Sequence, residues 1–377
     1  MISPTSAPDI NTESDFDKEE IESGSDFIVE PFDPTKIKVD REPMSVFQAM
    51  RKIKLGEIKL DPDFQRNLVW GPIRQSQLIE SVLLKIPLPA FYLDAIEPNQ
   101  WVVVDGLQRL STLDFFCNKK SKFQRLTGLE FLGRQFDGLS FDQLPRSSQR
   151  DIEETQLTMY IIRPETPPSV KFTIFHRINT GGMVLTPQEI RHATFPGRAP
   201  ELLKNMASSP EFLSATNFSV NPKRMGDREC VLRFLAFRMT KFSNYKRPDL
   251  NDFLGKAMDS LNRAPEATIQ KLKDEFSLSM EICQKIFSRN SFRKFNRALN
   301  SRGPINKALF ETWSNAVLDF DKNLLMSNAE KIVFGLESAL TNNSVYLKSL
   351  SQATGGVNPV STRFNVAYQI IDNALKT

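Results

Sequence analysis

A chain of 377 residues, 40% hydrophobic and 25% charged, with no uncharged apolar run of 18 residues and no basic-then-apolar block at its start, is expected to form about two to three packed domains. Neither a membrane span nor secretion is expected, and a cytoplasmic location is. The three cysteines, Cys117, Cys230 and Cys283, are far apart and form no CxxC pair, which argues against a disulfide framework or a structural zinc site. Net charge is only +4, but residues 1 to 33 hold ten acids and one lysine, so the remaining 344 residues hold 48 basic and 35 acidic groups.

Residues 1–35 combine acids, Ser, Thr and Pro with few large apolar side chains, a composition that predicts a disordered acidic tail. Its charge opposes that of the body, so it suits both a solubilising role and a cover for a basic face. An N-terminal domain is expected over 36–200. Ser45 reads as a helix cap, with Val46, Met50 and Ile53 at helical spacing and Gly56 as a stop. EIKLDPDFQR follows as an extended piece. Pro72 suits a first helical turn, and Ile79, Val82, Leu83 and Ile86 form an apolar stripe that ends at Pro87. AFYLDAI (90–96), WVVVD (101–105) and TQLTMYIIR (155–163) are rich in aromatic and β-branched residues and predict strands. Pro168 opens a helix whose Val170, Ile174, Phe175 and Ile178 share a face, and Thr186-Pro187-x-Glu189 opens another through a capping box.

From about 225 the strand signals fade. Helical stripes recur at Ile269, Leu272, Phe276, Met280 and Cys283, at Ile332, Val333, Leu336 and Leu340, and at Phe364, Tyr368, Ile371 and Leu375. The expected fold class is therefore α+β: an α/β N-terminal domain followed by a helical C-terminal domain over 201–377. Between Lys285 and Lys307 lie seven basic residues and no acid. A face carrying Arg289, Arg293, Lys294, Arg297 and Arg302 suits DNA backbone phosphates, and a solvated helix surface accounts for the same run. Phe292 and Phe295 interleave with it, as stacking residues or as core.

VVVDGLQRLSTLDFF places a strand, the turn Asp105-Gly106 and a helix start in succession. The first N–H groups of a helix attract an anion, Gly106 permits close backbone approach, Arg109 offers a forked contact to phosphate, and Asp105 suits magnesium or a water. A strand, a DG turn and a helix also serve as plain architecture.

Three segments in order, DPDFQRNLVW leading into SQLIESVLLKIPLPAFYL, then VVDGLQRLSTL, then IFHRINTGGMVLTPQEIRHATF, resemble the successive signatures of the N-terminal domain of GmrSD-type restriction enzymes. The usual central motif of that family is DGQQR, and here Leu107 replaces the first Gln. The resemblance implies a ParB/sulfiredoxin-like fold in which this motif handles a nucleoside triphosphate with Mg2+, with hydrolysis linked to DNA restriction. Carried onto this chain it implies Asp105, Gln108 and Arg109 as catalytic residues, with Asp105 as the metal contact. Gln65, Arg66, Gly106, Arg177, Asn179, Gly181 and Gly182 would bind the nucleotide. Bottom-up alternatives stand beside this: Arg66 and Arg177 could pair with Glu80 or Glu189, and Asn179-Thr180-Gly181-Gly182 is also a helix C-cap. Related systems pair the domain with an HNH-type nuclease. This chain offers only His176 and His192, too few for that site, so a separate nuclease subunit is the expected partner alongside DNA, with a homo-oligomer also compatible. The sequence thus points to a nucleotide-hydrolysing subunit of a phage-defence restriction system. Its rivals are a nucleotide-gated DNA-binding module without turnover and a direct metal-dependent nuclease.

Overall fold

A computed structural model describes residues 37–60, 70–97, 100–118, 125–178 and 185–376. They fall into two compact units that meet in sequence at Pro196 and Gly197. The acidic tail read over 1–35 lies outside the described residues, as do Gln65, Arg66, Asn179, Gly181 and Gly182.

The first unit is built on a five-stranded mixed sheet of order β1-β5-β3-β4-β2. The strands are β1 (Val39–Ser45), β2 (Ile58–Lys59), β3 (Phe91–Glu97), β4 (Gln100–Asp105) and β5 (Gln156–Ile162). Strands β3 and β4 pair antiparallel, while β5 runs parallel to β3 and antiparallel to β1. Helices α1 (Val46–Leu55), α2 (Pro72–Leu83) and α3 (Leu107–Asn118), the short α4 (Gly133–Phe136), α5 (Arg146–Glu154), α6 (Pro168–Ile178) and α7 (Pro187–Thr194) complete it. Alternation along the strands sends Phe91, Leu93, Ala95, Met159 and Ile161 to one face, where they share a core with Val46, Met50, Leu78, Ile79, Leu110 and Leu113 of α1, α2 and α3. On the other face Lys171 of α6 reaches Asp94 of β3 at 2.5 Å, both side chains buried. Burial raises the Asp94 carboxyl above its ordinary range, and Lys171 opposes that shift.

Several helix boundaries follow from the caps the sequence announces. Ser45 and Gln48 close a capping box on α1, which stops at Gly56 with φ of 77°. Thr186 and Glu189 do the same for α7, and Pro72 occupies the first turn of α2. Other expectations need correction. Helix α2 ends at Leu83, so Ile86 lies beyond it and is 50% exposed. On α6, Phe172 is buried whereas Ile174 is half-buried. Strand β1 and helix α5 have no counterpart among the expected elements. Strand β1 (VDREPMS) is a polar edge strand and α5 buries only Ile152, leaving no apolar period to detect.

The second unit holds helices α8 (Arg198–Ala207), α9 (Pro210–Ala215), α10 (Gly226–Met239), α11 (Leu250–Arg263) and α12 (Glu266–Phe287). A hairpin follows, of β6 (Arg293–Asn296) and β7 (Ser301–Ile305). After it come α13 (Lys307–Ala316), α14 (Lys322–Ser327), α15 (Ala329–Asn342), α16 (Ser344–Ser349) and α17 (Val357–Lys376). The hairpin corrects the expectation that strands are absent beyond 225. Its four- and five-residue strands are rich in Arg, Asn, Ser and Gly, so they carry little β-propensity.

Helices α10 and α13 form the centre of this unit and bury charge. Arg233 donates to Glu229 (2.7 Å) and Glu311 (3.2 Å), Arg363 of α17 pairs with Glu311, and Lys307 reaches Glu229 (3.1 Å). Arg363 also donates to the Thr354 carbonyl at 2.8 Å. Glu311 therefore compensates two guanidinium groups, and both arginines are at most 1% exposed. Removing one partner of such a network strands the others without solvent. Glu311→Ala is expected to destabilise the protein by about 3–5 kcal/mol, whereas Lys256→Ala, which removes the exposed pair with Asp252, costs less than about 1 kcal/mol. Urea-unfolding midpoints check this, and equal shifts for the two variants would contradict it.

Candidate functional site

The sequence motif becomes a corner. Strand β4 ends at Asp105, Gly106 turns with φ of 93°, and α3 begins at Leu107. A Cβ on residue 106 would stand 2.4 Å from Cδ1 of Phe91 and 3.2 Å from Nη2 of Arg109. Glycine is thus required twice, by backbone sign and by space.

Arg109 folds back across this corner. Its Nη2 donates to Oδ2 of Asp105 at 3.0 Å and to the Ala90 carbonyl at 3.2 Å, and its Nη1 donates to the Pro89 carbonyl. The guanidinium carbon sits 4.4 Å from the centre of the Phe91 ring. Burial pulls the Arg109 pKa below its ordinary value, and the Asp105 carboxylate counters it. Arg109 therefore ties the start of β3 to the end of β4. The arrangement places it as a brace for Asp105, a use the motif alone did not reveal.

Asp105 keeps 33% of its side chain exposed. One carboxylate oxygen is held by Arg109, and Oδ1 accepts no hydrogen bond from any described residue. This is a fixed, partly open carboxylate at a helix start. Gln108 is half-buried on the first turn. Leu107 is 6% exposed and belongs to the hydrophobic core, so the departure from DGQQR falls on an inward position where a Gln amide would need a buried partner.

Beside Asp105 the sheet carries two residues that sequence reasoning missed. In register with Asp105 across β3 is Tyr92, and across β5 is Tyr160. Their rings stack with centroids 5.1 Å apart. Burial, then the neighbouring Tyr160 and Asp105, raise the Tyr92 pKa. The available signal was the polar-tipped aromatic alternating with core residues in Phe91-Tyr92-Leu93 and Met159-Tyr160-Ile161.

Arg177 is exposed in the last turn of α6. Glu80, a candidate arginine partner from the sequence, is buried and occupied otherwise. Its carboxylate accepts from the backbone N–H groups of Leu132 (2.7 Å), Phe131 (2.7 Å) and Glu130 (3.0 Å). Burial alone would raise its pKa, and the three donors outweigh burial and hold it low. Glu189 accepts from the Thr186 N–H at 2.6 Å in its capping box. His192 is half-buried. Burial pushes the Cys117 thiol up to about 12 and that of Cys283 higher still, so neither is a thiolate at neutral pH. Among the described residues no group of three His, Cys, Asp or Glu is placed to hold a metal ion. A cavity of about 470 Å³ between α15 and α17, lined in part by Asn342, Asn343, Gln369 and Asn373, contains none of the motif residues.

The five basic residues expected to face DNA divide. Arg293 is 5% exposed, and Phe292 and Phe295 are core residues, which corrects both the solvated helix face and the stacking role. Arg297 is paired with Glu337 (2.7 Å) and Glu330 (3.1 Å). Arg289 and Arg302 are exposed and Lys294 is half-buried.

Because the corner depends on Gly106, Gly106→Ala is expected to cost about 2 kcal/mol or more through positive-φ strain and overpacking against Phe91. The check is the chemical-unfolding midpoint, and a change under about 0.5 kcal/mol would contradict the geometry.

The family described as GmrSD restriction endonuclease, N-terminal domain, matches residues 46–196. No curated protein and no solved structure matches the chain. The match runs from the first residue of α1, through the Asp105 corner and α7, to the last residue of the first compact unit. Over residues 46–196 this chain is thus similar to the N-terminal domain of GmrSD restriction endonucleases.

Proposed function

We propose that the chain is the nucleotide-handling subunit of a DNA restriction system in phage defence. It binds a nucleoside triphosphate at the Asp105 corner, hydrolyses it, and thereby regulates or drives a separate nuclease. The family supports the restriction context. The single observation that carries the chemistry is the Asp105 carboxylate, held at one oxygen by Arg109 and open at the other, at the head of α3.

The division of labour follows from that corner. The first N–H groups of α3 and the positive end of its dipole favour phosphate oxygens, and Gly106 lets them approach the backbone. Asp105 orients the attacking water or holds the cation that accompanies the phosphates. One carboxylate fits Mg2+, which keeps most of its ligands as water and phosphate oxygen, and when bound the ion neutralises charge on those oxygens. Arg109 acts through Asp105, fixing its direction, and Gln108 offers a hydrogen bond on the first turn. Tyr92 and Tyr160, beside Asp105 on the sheet, suit the nucleobase. Arg177, with Gln65, Arg66, Asn179, Gly181 and Gly182, supplies the remaining phosphate and nucleotide contacts.

The internal engagement of Arg109 favours one second reading, a nucleotide gate that binds without turnover, because the arginine that would neutralise developing charge is already committed to Asp105 and two carbonyls.

The test is phosphate release from each of the four nucleoside triphosphates with magnesium, with and without DNA. Asp105→Asn is expected to lose at least about 100-fold in turnover while still binding nucleotide. Arg109→Ala is expected to lose turnover and stability together, with partial recovery in Arg109→Lys. Parental turnover in Asp105→Asn would sink the assignment, and nucleotide binding without phosphate release in the parent would select the gate.

A further inference from the structure

The run from Lys285 to Lys307 is not a uniform basic surface. Lys285 pairs with Glu281 at 2.7 Å, Arg297 with Glu330 and Glu337, and Lys307 with Glu229. Three guanidinium groups have no carboxylate partner among the described residues: Arg289, Arg293 and Arg302. Arg302 donates to the Arg289 carbonyl at 3.1 Å, Arg289 to the Asn300 side chain at 3.1 Å, and Arg293 to the Gly303 carbonyl at 2.8 Å.

Arg293 is the informative member. It is 5% exposed, and its buried Nε has no hydrogen-bond partner. Arg233 and Arg363 of this unit, also buried, are compensated by Glu229 and Glu311, whereas Arg228, 6% exposed with a buried Nη1 that finds no hydrogen-bond partner, resembles Arg293. A buried cation with no counter-charge is costly, and here burial and the neighbouring Arg302 bring its pKa down to about 10. The surrounding backbone is held in the left-handed region at Ser288, Phe292 and Asn300, with φ of 51°, 59° and 46°, a conformation that side-chain-bearing residues adopt only where the surroundings impose it. Such a hairpin concentrates positive charge that folding alone does not require.

We propose that Arg289, in the turn just before β6, together with Arg293 and Arg302 of the β6–β7 hairpin, forms an oxyanion site that receives a backbone phosphate of duplex DNA. Arg289 and Arg302, both exposed, engage the phosphate through forked donors, and Arg293 adds its charge from behind. The choice of DNA as the carrier of the phosphate rests on the restriction reading above. The site itself rests on the unpaired charges. Arg297, on the same hairpin, takes no part because Glu330 and Glu337 already neutralise it.

The experiment is binding of a labelled duplex by fluorescence anisotropy over a range of salt concentrations, without nucleotide, so that this site and the Asp105 corner are read in separate assays. Arg289→Ala and Arg302→Ala are each expected to lower the slope of log affinity against log salt by about 0.9 for each phosphate no longer neutralised, while Arg297→Ala leaves it at the parental value. Arg293→Met is expected to weaken DNA binding while raising the melting temperature of the free protein, since it removes an uncompensated buried charge. Unchanged slopes in the Arg289 and Arg302 variants, an equal drop in Arg297→Ala, or a lower melting temperature in Arg293→Met would each overturn the site. Stabilisation of the parent by inorganic phosphate without any binding of duplex would overturn its assignment to DNA.

Discussion

The first unit turns on the contact between Arg109 and Asp105. Four chain segments converge on it: the end of β4, the Gly106 turn, the first turn of α3, and the Pro89-Ala90 carbonyls that lead into β3. None of these could move independently without breaking a charge-assisted hydrogen bond or driving residue 106 into Phe91. The contact thereby sets the direction of the one open carboxylate at the corner and fixes where α3 begins. Stability and the proposed chemistry share these residues, so the conservative Lys variant of Arg109 is needed to separate them.

The sequence was most informative where local chemistry decides local structure. Ser45, Gly56, Pro72 and Thr186 end or start helices at the places their side chains and backbone preferences dictate. The stripes on α12 and α15 are buried along their length. The Asp105-Gly106 turn was also legible, because a hydrophobic strand running into DG and a helix leaves few alternatives. What was not legible depends on distant partners. Strand β1 becomes a strand only because β5 offers it an edge. The inward position of Leu107 and the backward fold of Arg109 are set by Phe91 and the Pro89 carbonyl, some twenty residues away in sequence. No residue-by-residue reading of DGLQR could distinguish an arginine facing a ligand from one bracing its neighbour.

The same limit governed charge in the second unit. Counting basic residues between 285 and 307 treats them as equivalent, but the fold pairs some with Glu229, Glu281, Glu330 and Glu337 and gives others no carboxylate among the described residues. Unpaired positive charge is therefore concentrated at a few guanidinium groups on and just before a short hairpin, in place of the solvated helix surface that the basic run alone allowed. Arg233 and Arg363 show the contrasting case, where Glu311 neutralises two buried charges and joins α10, α13 and α17. One chain thus holds arginines neutralised inside the fold and arginines without a carboxylate partner among the described residues, and only the partners each guanidinium finds tell the two apart.

The central claim is that the head of α3 beside Asp105 is where nucleotide binds. Hydrogen–deuterium exchange of the full chain, with and without a nucleoside triphosphate and magnesium, tests this directly, because phosphate oxygens accepting from the first N–H groups of a helix slow their exchange. Protection of the peptide spanning Asp105 to Leu110 is expected on addition of nucleotide, and it is retained in Asp105→Asn, which still binds nucleotide but turns it over slowly. Unchanged exchange over that segment, with protection appearing elsewhere in the chain, would contradict it.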